Sequence, residues 1–218
     1  MPKQVDHEGR RRQIADAVCL LVDEHGLEGV TLRDVATRAE VSMGAVQRCF
    51  RTKEEMLRFA LAHIGERVTE RVRRRLAAGP AQSAASELGL VAREVALLRE
   101  EHRAEARIWL AFVAGAAVNP ALAATLRSSY AALEELVVRL LAEASGGGDG
   151  GGGEAGDGDR DGAGLGESAE VRAADRTEAR TLLALADGLT AHVLVGHRTA
   201  EEAEEVLHAH LVGLWGRR

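Results

Sequence analysis

Apolar residues recur at intervals of three and four positions along almost the whole chain, while alternating runs of β-branched and aromatic residues are scarce. This spacing places apolar side chains on one face of a helix. In the first segment, residues 10–24, that face consists of Ile14, Val18, Leu21 and Val22. Aromatic residues make up only 3% of the chain, so Leu, Val and Ala must supply most of the core. We therefore predict an all-α fold of about nine helices.

Capping residues and chain breaks set the expected helix boundaries. A hydroxyl residue just before a helix accepts a hydrogen bond from one of its first free N–H groups, and a glutamate three positions later completes a capping box. The expected caps are Thr31, Ser42, Thr52 with Glu55, and Thr199 with Glu202. After the first helix, we expect helices at about 31–39, 42–50, 52–76, 83–99, 103–118, 121–144, 168–195 and 199–215.

Composition and charge exclude several classes of protein. Residues 1–13 lack the apolar run of a secretory signal, and the charge-free stretch 108–126 is interrupted by Asn119 and Pro120, so we expect no membrane partner. Two cysteines are too few for a disulfide framework, which favours a cytoplasmic protein. The net charge is −6, but residues 1–75 carry +3 and residues 76–218 carry −9.

Residues 31–50 predict two short helices joined by a tight turn at 39–41, which is a helix-turn-helix. If Val46 and Phe50 face inward, Gln47 and Arg48 point outward. In the DNA major groove, Gln can pair with adenine and Arg with guanine. The window 41–53 contains no acidic residue, which suits a surface that approaches phosphates.

Small and polar residues at the start of these helices fit the same interpretation. Gly44 and Ala45 let the backbone approach DNA closely. Thr31 and Ser42 offer hydroxyls and free amides to phosphates. Lys53, at the start of the fourth predicted helix, suits a phosphate contact.

The residues that form these two helices carry a family resemblance. The segments TLRDVA at 31–36, VSMGAV at 41–46 and FRTKEEML at 50–57 resemble the signature of TetR-family transcriptional regulators. The resemblance covers residues 10–60 and implies that the helical remainder senses a ligand and dimerises. The segment WLAF at 109–112, with Asn119-Pro120 and Asp187-Gly188-Leu189 later, resembles the carboxy-terminal domain of the BetI-like branch.

Two positions depart from the family pattern. The family usually has an aromatic residue where this chain has Gln47, and Tyr or His where it has Cys49; the change either weakens anchoring or makes Gln47 a base reader. The DNA contacts that the resemblance implies are Thr31, Arg33, Ser42, Met43, Gly44, Ala45, Gln47, Arg48 and Lys53.

We predict two domains. Residues 1–52 form the DNA-binding domain and residues 53–218 form a helical regulatory and dimerisation domain; the clear break at Gly79-Pro80, after the fourth predicted helix, is an alternative place for the boundary. Within the second domain, residues 146–166 contain 12 glycines and five carboxylates in 21 positions. No core can form from such a segment, so we expect a flexible Gly/Asp-rich loop.

The family resemblance also implies partners. An unknown small-molecule effector, apolar or amphipathic, is expected inside the carboxy-terminal bundle, and the apolar stripes of the last two helices predict a homodimer. A two-fold dimer predicts a palindromic double-stranded DNA operator. The candidate effector-binding residues are His63, Trp109, Phe112, Tyr130 and His192.

These observations predict a repressor that an effector releases from DNA. The alternatives are an activator, a regulator that no small molecule controls, and a helical protein-interaction module that no longer reads DNA. No nucleophile elbow or paired-carboxylate motif occurs, so we expect no enzyme and no cofactor. His192 and His197 are five positions apart and do not have a helical ligand spacing, so we also expect no metal. Cys19 is expected in the core, whereas the pattern leaves both a buried and an exposed position open for Cys49.

Overall fold

The computed structural model describes residues 6–78, 83–146 and 163–216, and every regular element within these ranges is helical. This confirms the all-α prediction. The elements are α1 (His7–His25), α2 (Leu32–Arg38), α3 (Met43–Cys49), α4 (Lys53–Ala78), α5 (Ala84–Val95), a 3-10 helix (Glu100–His102), α6 (Arg103–Ala116), α7 (Pro120–Gly146), α8 (Ala163–Leu194) and α9 (Ala200–Gly216). No described helix combines the length and the apolar character needed to cross a bilayer.

The predicted caps begin their helices as expected. Thr31 Oγ1 accepts the N–H of Asp34 at 3.2 Å at the start of α2. At α9, Thr199 Oγ1 accepts the N–H of Glu202 at 3.2 Å, and the Glu202 carboxylate accepts the N–H of Thr199 at 2.9 Å. This is the reciprocal capping box that the sequence predicts.

The capping box at α4 is shifted by one residue. Thr52 Oγ1 accepts the N–H of Glu55 at 3.0 Å, as predicted. The Glu55 carboxylate, however, accepts the N–H of Arg51 at 2.9 Å, one position before the cap. The first bond satisfies an N–H group that the helix itself leaves free, and the second ties down the residue before the cap.

The helix expected over residues 83–99 ends earlier, at Val95, so this boundary was wrong. Leu97 has a φ of 49°, a left-handed conformation that cannot continue an α-helix. The Thr190 hydroxyl donates to the carbonyl of Ala96 at 2.6 Å. The carbonyl at the end of α5 is therefore satisfied by a residue 94 positions away in the sequence. The sequence around Ala96 does not indicate this contact.

The chain forms two compact units. The first comprises Met1–Glu70 with Arg99–Ser129, and the second comprises Arg71–Leu98 with Tyr130–Arg218. This division does not coincide with the proposed boundary at residue 52, because the first unit also contains the start of α4 and all of α6. The division into residues 1–52 and 53–218 stays a prediction.

Each unit has its own apolar core. In the first unit, Ile14, Val35, Val46 and Met56 have no exposed surface. In the second, α5, α7, α8 and α9, together with Val72 of α4, bury a cluster to which leucine contributes most; its fully buried leucines are Leu88, Leu141, Leu182, Leu207 and Leu214. Burying one such side chain stabilises the fold by about 1.5–3 kcal/mol. Leucine thus supplies most of the apolar side chains in the core of the second unit.

The predicted Gly/Asp-rich loop falls mostly outside the described residues. Only its edges are described: Gly146 is the last residue of α7, and α8 begins at Ala163, five positions before the predicted start.

Candidate nucleic-acid interface

The turn between α2 and α3 is held by side-chain and backbone hydrogen bonds. Gln13 of α1 donates its Nε2 to the carbonyl of Ala39 at 2.8 Å. The N–H of Val41 donates to the carbonyl of Ala36 at 3.0 Å, and Glu40 between them has a φ of 52°. These contacts fix the direction in which α3 leaves the turn.

The two faces of α3 differ in the way the sequence predicts. Val46 and Phe50 are buried, whereas Gln47 and Arg48 are exposed. Cys49 is buried too, with 7% exposure, which decides between the two positions that the sequence leaves open. Cys49 follows Val46 by three positions and therefore lies on the same helical face.

The amino-terminal turn of α3 leaves open space at its surface. Ser42 Oγ caps the helix by accepting the N–H of Ala45 at 3.2 Å, and Met43 is 47% exposed. A Cβ added to Gly44 would meet only Arg48 Nη1, at 3.5 Å, within the described part of the chain. The packing of the protein therefore tolerates a side chain at Gly44.

The flanking candidate residues have partners of their own. The Thr31 hydroxyl donates to Asp34 Oδ2 at 2.6 Å, and Lys53 Nζ donates to the carbonyl of Glu28 at 3.4 Å. Arg33 is exposed on α2. A lysine ammonium has three donors, so this bond leaves Lys53 with donors for another acceptor. All the predicted DNA contacts thus lie in the first unit, on α2, α3 and the start of α4.

Arg11 is a part of this site whose role was not apparent from the sequence. Its guanidinium lies over the rings of Phe50 and Phe59, 4.6 and 4.4 Å from their centroids, and the two rings are 5.4 Å apart. Its Nη2 is 3.8 Å from Glu55 Oε1. Arg11 therefore joins α1 to the end of α3 and to α4. The run of arginines at 10–12 carried no signal that would separate this residue from its neighbours.

The carboxy-terminal half of α1 is tied to two further helices of the first unit. Arg38 of α2 donates to both carboxylate oxygens of Glu24, at 2.8 and 2.6 Å, and these hydrogen bonds lower the pKa of Glu24. Arg107 of α6 donates to both oxygens of Asp23, at 2.5 and 2.9 Å, which raises the pKa of Arg107. The helix that supports α3 is therefore in direct contact with α6.

A close packing contact lies beside this ion pair. A Cβ on Gly115 of α6 would come within 2.4 Å of Leu27 Cδ1, so the missing side chain makes room for Leu27. Leu27 lies in the turn that follows α1.

Cys19 lies in the core, as the sequence predicts, and burial raises the pKa of its thiol to about 12. Such a thiol is almost entirely protonated at neutral pH and reacts slowly with oxidants.

The predicted effector-binding residues fall into both units. In the first, His63 Nε2 lies 2.9 Å from Asp16 Oδ1, Phe112 has no exposed surface, and Trp109 is half-buried. In the second, the Tyr130 hydroxyl donates to Asp187 Oδ2, and His192 is exposed and contacts His197. The effector site stays a prediction.

Comparison with known proteins identifies the family. Residues 14–59 match the family model described as bacterial regulatory proteins, tetR family. Residues 84–161 match the model described as BetI-type transcriptional repressor, C-terminal. This chain belongs to the TetR family. Both resemblances noted in the sequence are thereby confirmed, including the BetI-like second half.

Individual relatives agree with the TetR-family assignment. The chain is 45% identical over 73 residues to the HTH-type transcriptional regulator PksA of Bacillus subtilis, covering 34% of this chain and 36% of that one. It is 35% identical over 122 residues to the HTH-type transcriptional regulator BetI of Paraburkholderia phymatum, covering 56% and 62%. The chain thus spans less than two thirds of these relatives.

A solved structure of a transcriptional regulator from a Rhodococcus species matches this TetR-family fold over most of its length. The TM-score is 0.71 at 27% identity, covering 94% of this chain and 95% of that one. The family and the named relatives are regulators of transcription, in agreement with the expectation that the chain is not an enzyme.

Proposed function

We propose that this chain is a sequence-specific DNA-binding transcriptional repressor that acts as a homodimer on a palindromic operator. The observation that carries the proposal is the surface of α3. Gln47 and Arg48 are exposed while the opposite face is anchored in the core, so the helix offers base-reading side chains on a rigid support. The family assignment supports the same function.

The exposed residues of the site take different roles in this proposal. Arg48 pairs with a guanine and Gln47 with an adenine in the major groove, because these side chains match the base edges there. The open space at Gly44 lets the backbone of α3 approach the DNA. The remaining predicted contacts bind the sugar-phosphate backbone of the DNA or the base edges beside it; they are Thr31, Arg33, Ser42, Met43, Ala45 and Lys53.

The last two helices supply the proposed dimer interface. Val195 is 73% exposed at the end of α8, and Val206 and Val212 on α9 are 37% and 56% exposed. The exposed Ala209 of α9 lies between these two valines on its helix. Apolar side chains of this size on neighbouring turns favour burial against a second copy. In a two-fold dimer, the two α3 helices would address half-sites about one DNA turn apart, roughly 34–36 Å, or a multiple of it.

An effector would act on this dimer through the helices that support α3. The Arg107–Asp23 ion pair and the Leu27–Gly115 contact join α6 to α1, so a displacement of α6 changes the position of α1. Together with a shift of α4, such a displacement would change the separation of the two reading helices. A coupling free energy of about 1–3 kcal/mol would change DNA affinity about 5–150-fold.

Selection from a pool of random duplexes tests this function directly. The purified chain is mixed with the pool at low salt, and bound duplexes are amplified and sequenced. We expect enrichment of a palindrome with two half-sites. The absence of any enriched sequence would contradict DNA reading and favour the interaction module, and an enriched site without symmetry would contradict the dimer.

The position of the enriched site in the source genome tests the sign of regulation. A repressor site overlaps a promoter, whereas an activator site lies upstream of one. The dimer itself is tested by Val212→Glu, which places a charge in the proposed interface. We expect this variant to sediment as a monomer with its helical content unchanged; an unchanged dimer would contradict the assignment of α9.

A further inference from the structure

The end of α8 brings two histidines together that the sequence separates by five positions. Gly196 has a φ of 73°, its N–H donates to the carbonyl of Val193 at 3.1 Å, and the N–H of His197 donates to the carbonyl of His192 at 2.9 Å. These paired hydrogen bonds are the Schellman motif, in which the chain folds back over the last turn of a helix. The residues at its two ends, here His192 and His197, then have side chains in contact.

A separation of five positions therefore does not exclude a ligand pair here. Residues five apart point in different directions only where both continue on one helix. Because α8 ends at Leu194 and the chain reverses at Gly196, the two imidazoles instead meet above the helix end.

The distance between the two rings is compatible with a shared ion. Their centroids are 4.9 Å apart, the ring planes are inclined at 86°, and both side chains are exposed. With metal–nitrogen bonds of about 2.0–2.1 Å, each ring centroid lies roughly 3.2 Å from the metal. Two centroids 4.9 Å apart then subtend an angle of about 100° at the ion, between octahedral and tetrahedral values.

We propose that His192 and His197 bind one divalent transition metal ion of the class that prefers imidazole, namely Zn²⁺, Ni²⁺ or Cu²⁺. Imidazole nitrogens select these ions over Mg²⁺ and Ca²⁺, which prefer oxygen ligands. The described residues contain no group of three or more His, Cys, Asp or Glu placed to hold a metal. The two histidines are thus the protein ligands, and water fills the other positions.

The backbone makes this pair a chelate. The Schellman hydrogen bonds fix the backbone of both residues before any ion arrives, so the second imidazole binds at high effective concentration once the first is coordinated. A two-histidine site exchanges its ion with solution and does not retain it as a structural zinc site does, because structural sites use four protein ligands. Occupancy would hold the last turn of α8 against the segment that leads into α9.

Metal titration of the chain, without any histidine tag and after treatment with a chelator, tests the proposal. Ni²⁺ affinity is measured by competition with a chromophoric chelator for the wild type and for His192→Ala, His197→Ala and the control His208→Ala. His208 is an exposed histidine on α9. We expect one ion per chain, at least a tenfold loss of affinity in each pair variant, less than a twofold change in the control, and no binding of Mg²⁺.

Two further measurements separate coordination from folding. Thermal unfolding in EDTA should be the same for all four proteins, because the substituted side chains are exposed. The electron paramagnetic resonance spectrum of bound Cu²⁺ should show two nitrogen ligands in the wild type and one in each pair variant. Equal Ni²⁺ affinity in the wild type, His192→Ala and His197→Ala, or a single-nitrogen Cu²⁺ spectrum in the wild type, would overturn the proposal.

Discussion

Replacement of Gly44 with alanine should change DNA affinity and the free energy of unfolding in opposite directions. Among the residues that the structure describes, a Cβ at Gly44 would meet only the end of the Arg48 side chain, at 3.5 Å. Alanine is favoured over glycine inside a helix by about 0.5–1 kcal/mol. The free energy of unfolding of Gly44→Ala should therefore rise by up to that amount, with a melting temperature higher by about 2–4 °C for each kcal/mol in a chain of this size.

Gly89 of α5 provides a matched control. Within the described ranges, a Cβ there would also meet only an arginine four positions later, Arg93, with its Nη1 at 3.5 Å. The two glycines thus have the same kind of neighbour inside the protein. Gly89 lies in the second compact unit, outside the predicted DNA contacts. Gly89→Ala should stabilise the fold and leave DNA affinity unchanged.

The effect of Gly44→Ala on DNA binding should have the opposite sign to its effect on stability. If α3 lies in the major groove, the added methyl group meets DNA in a tight interface, and overpacking of this kind costs about 1–3 kcal/mol. Affinity should fall about 5–150-fold. Urea unfolding followed by circular dichroism gives the stability, and fluorescence anisotropy with the selected duplex at fixed salt gives the affinity.

Two results would refute this reasoning. If Gly44→Ala binds the duplex as tightly as Gly89→Ala, the start of α3 does not approach DNA. If Gly44→Ala unfolds at lower urea concentration than the wild type, the space seen at this position is not available to a side chain.

Three further predictions follow from other contacts of the first unit. Arg48→Ala should relax sequence preference at one base position by about 1–3 kcal/mol, whereas Lys53→Ala should weaken all sequences alike and lower the salt slope of binding by about 1; equal effects of both on random duplexes would contradict these roles. Arg11→Ala should lower the free energy of unfolding by about 1–2 kcal/mol, since it removes a cation from two ring faces, and should leave the salt slope unchanged; a smaller slope would make it a phosphate contact. Neither Cys19 nor Cys49 should react with a thiol reagent at pH 8 before unfolding, because both are buried and the pKa of the Cys19 thiol is raised to about 12; rapid labelling of the native chain would contradict their burial.

The effect of Cys19 on stability has a definite sign. Its folded pKa lies above the value of about 8.5 for a free thiol. The folded state therefore holds a proton that the unfolded state releases as the pH rises. The contribution is fully present below pH 8.5 and declines between about pH 8.5 and 12, which unfolding curves of the wild type and Cys19→Ala across this range would reveal.

Much of the local structure could be predicted from the sequence. The helices, their caps at Thr31, Ser42 and Thr199, and the inward and outward faces of α3 all follow from interactions between residues at most four positions apart. Such interactions are encoded in a short window of sequence. The family signature lies in the same windows, which is why the chain could be assigned before its structure was known.

The contacts that position the site were decided only by the tertiary structure. Arg107 pairs with Asp23 across 84 positions, and Arg11 lies over Phe50 and Phe59 although its neighbours in the arginine run look equivalent. The spacing of apolar residues predicts that a helix has an apolar face. It does not predict which other helix packs against that face. That choice depends on packing the whole set of side chains at once, so no short window contains it.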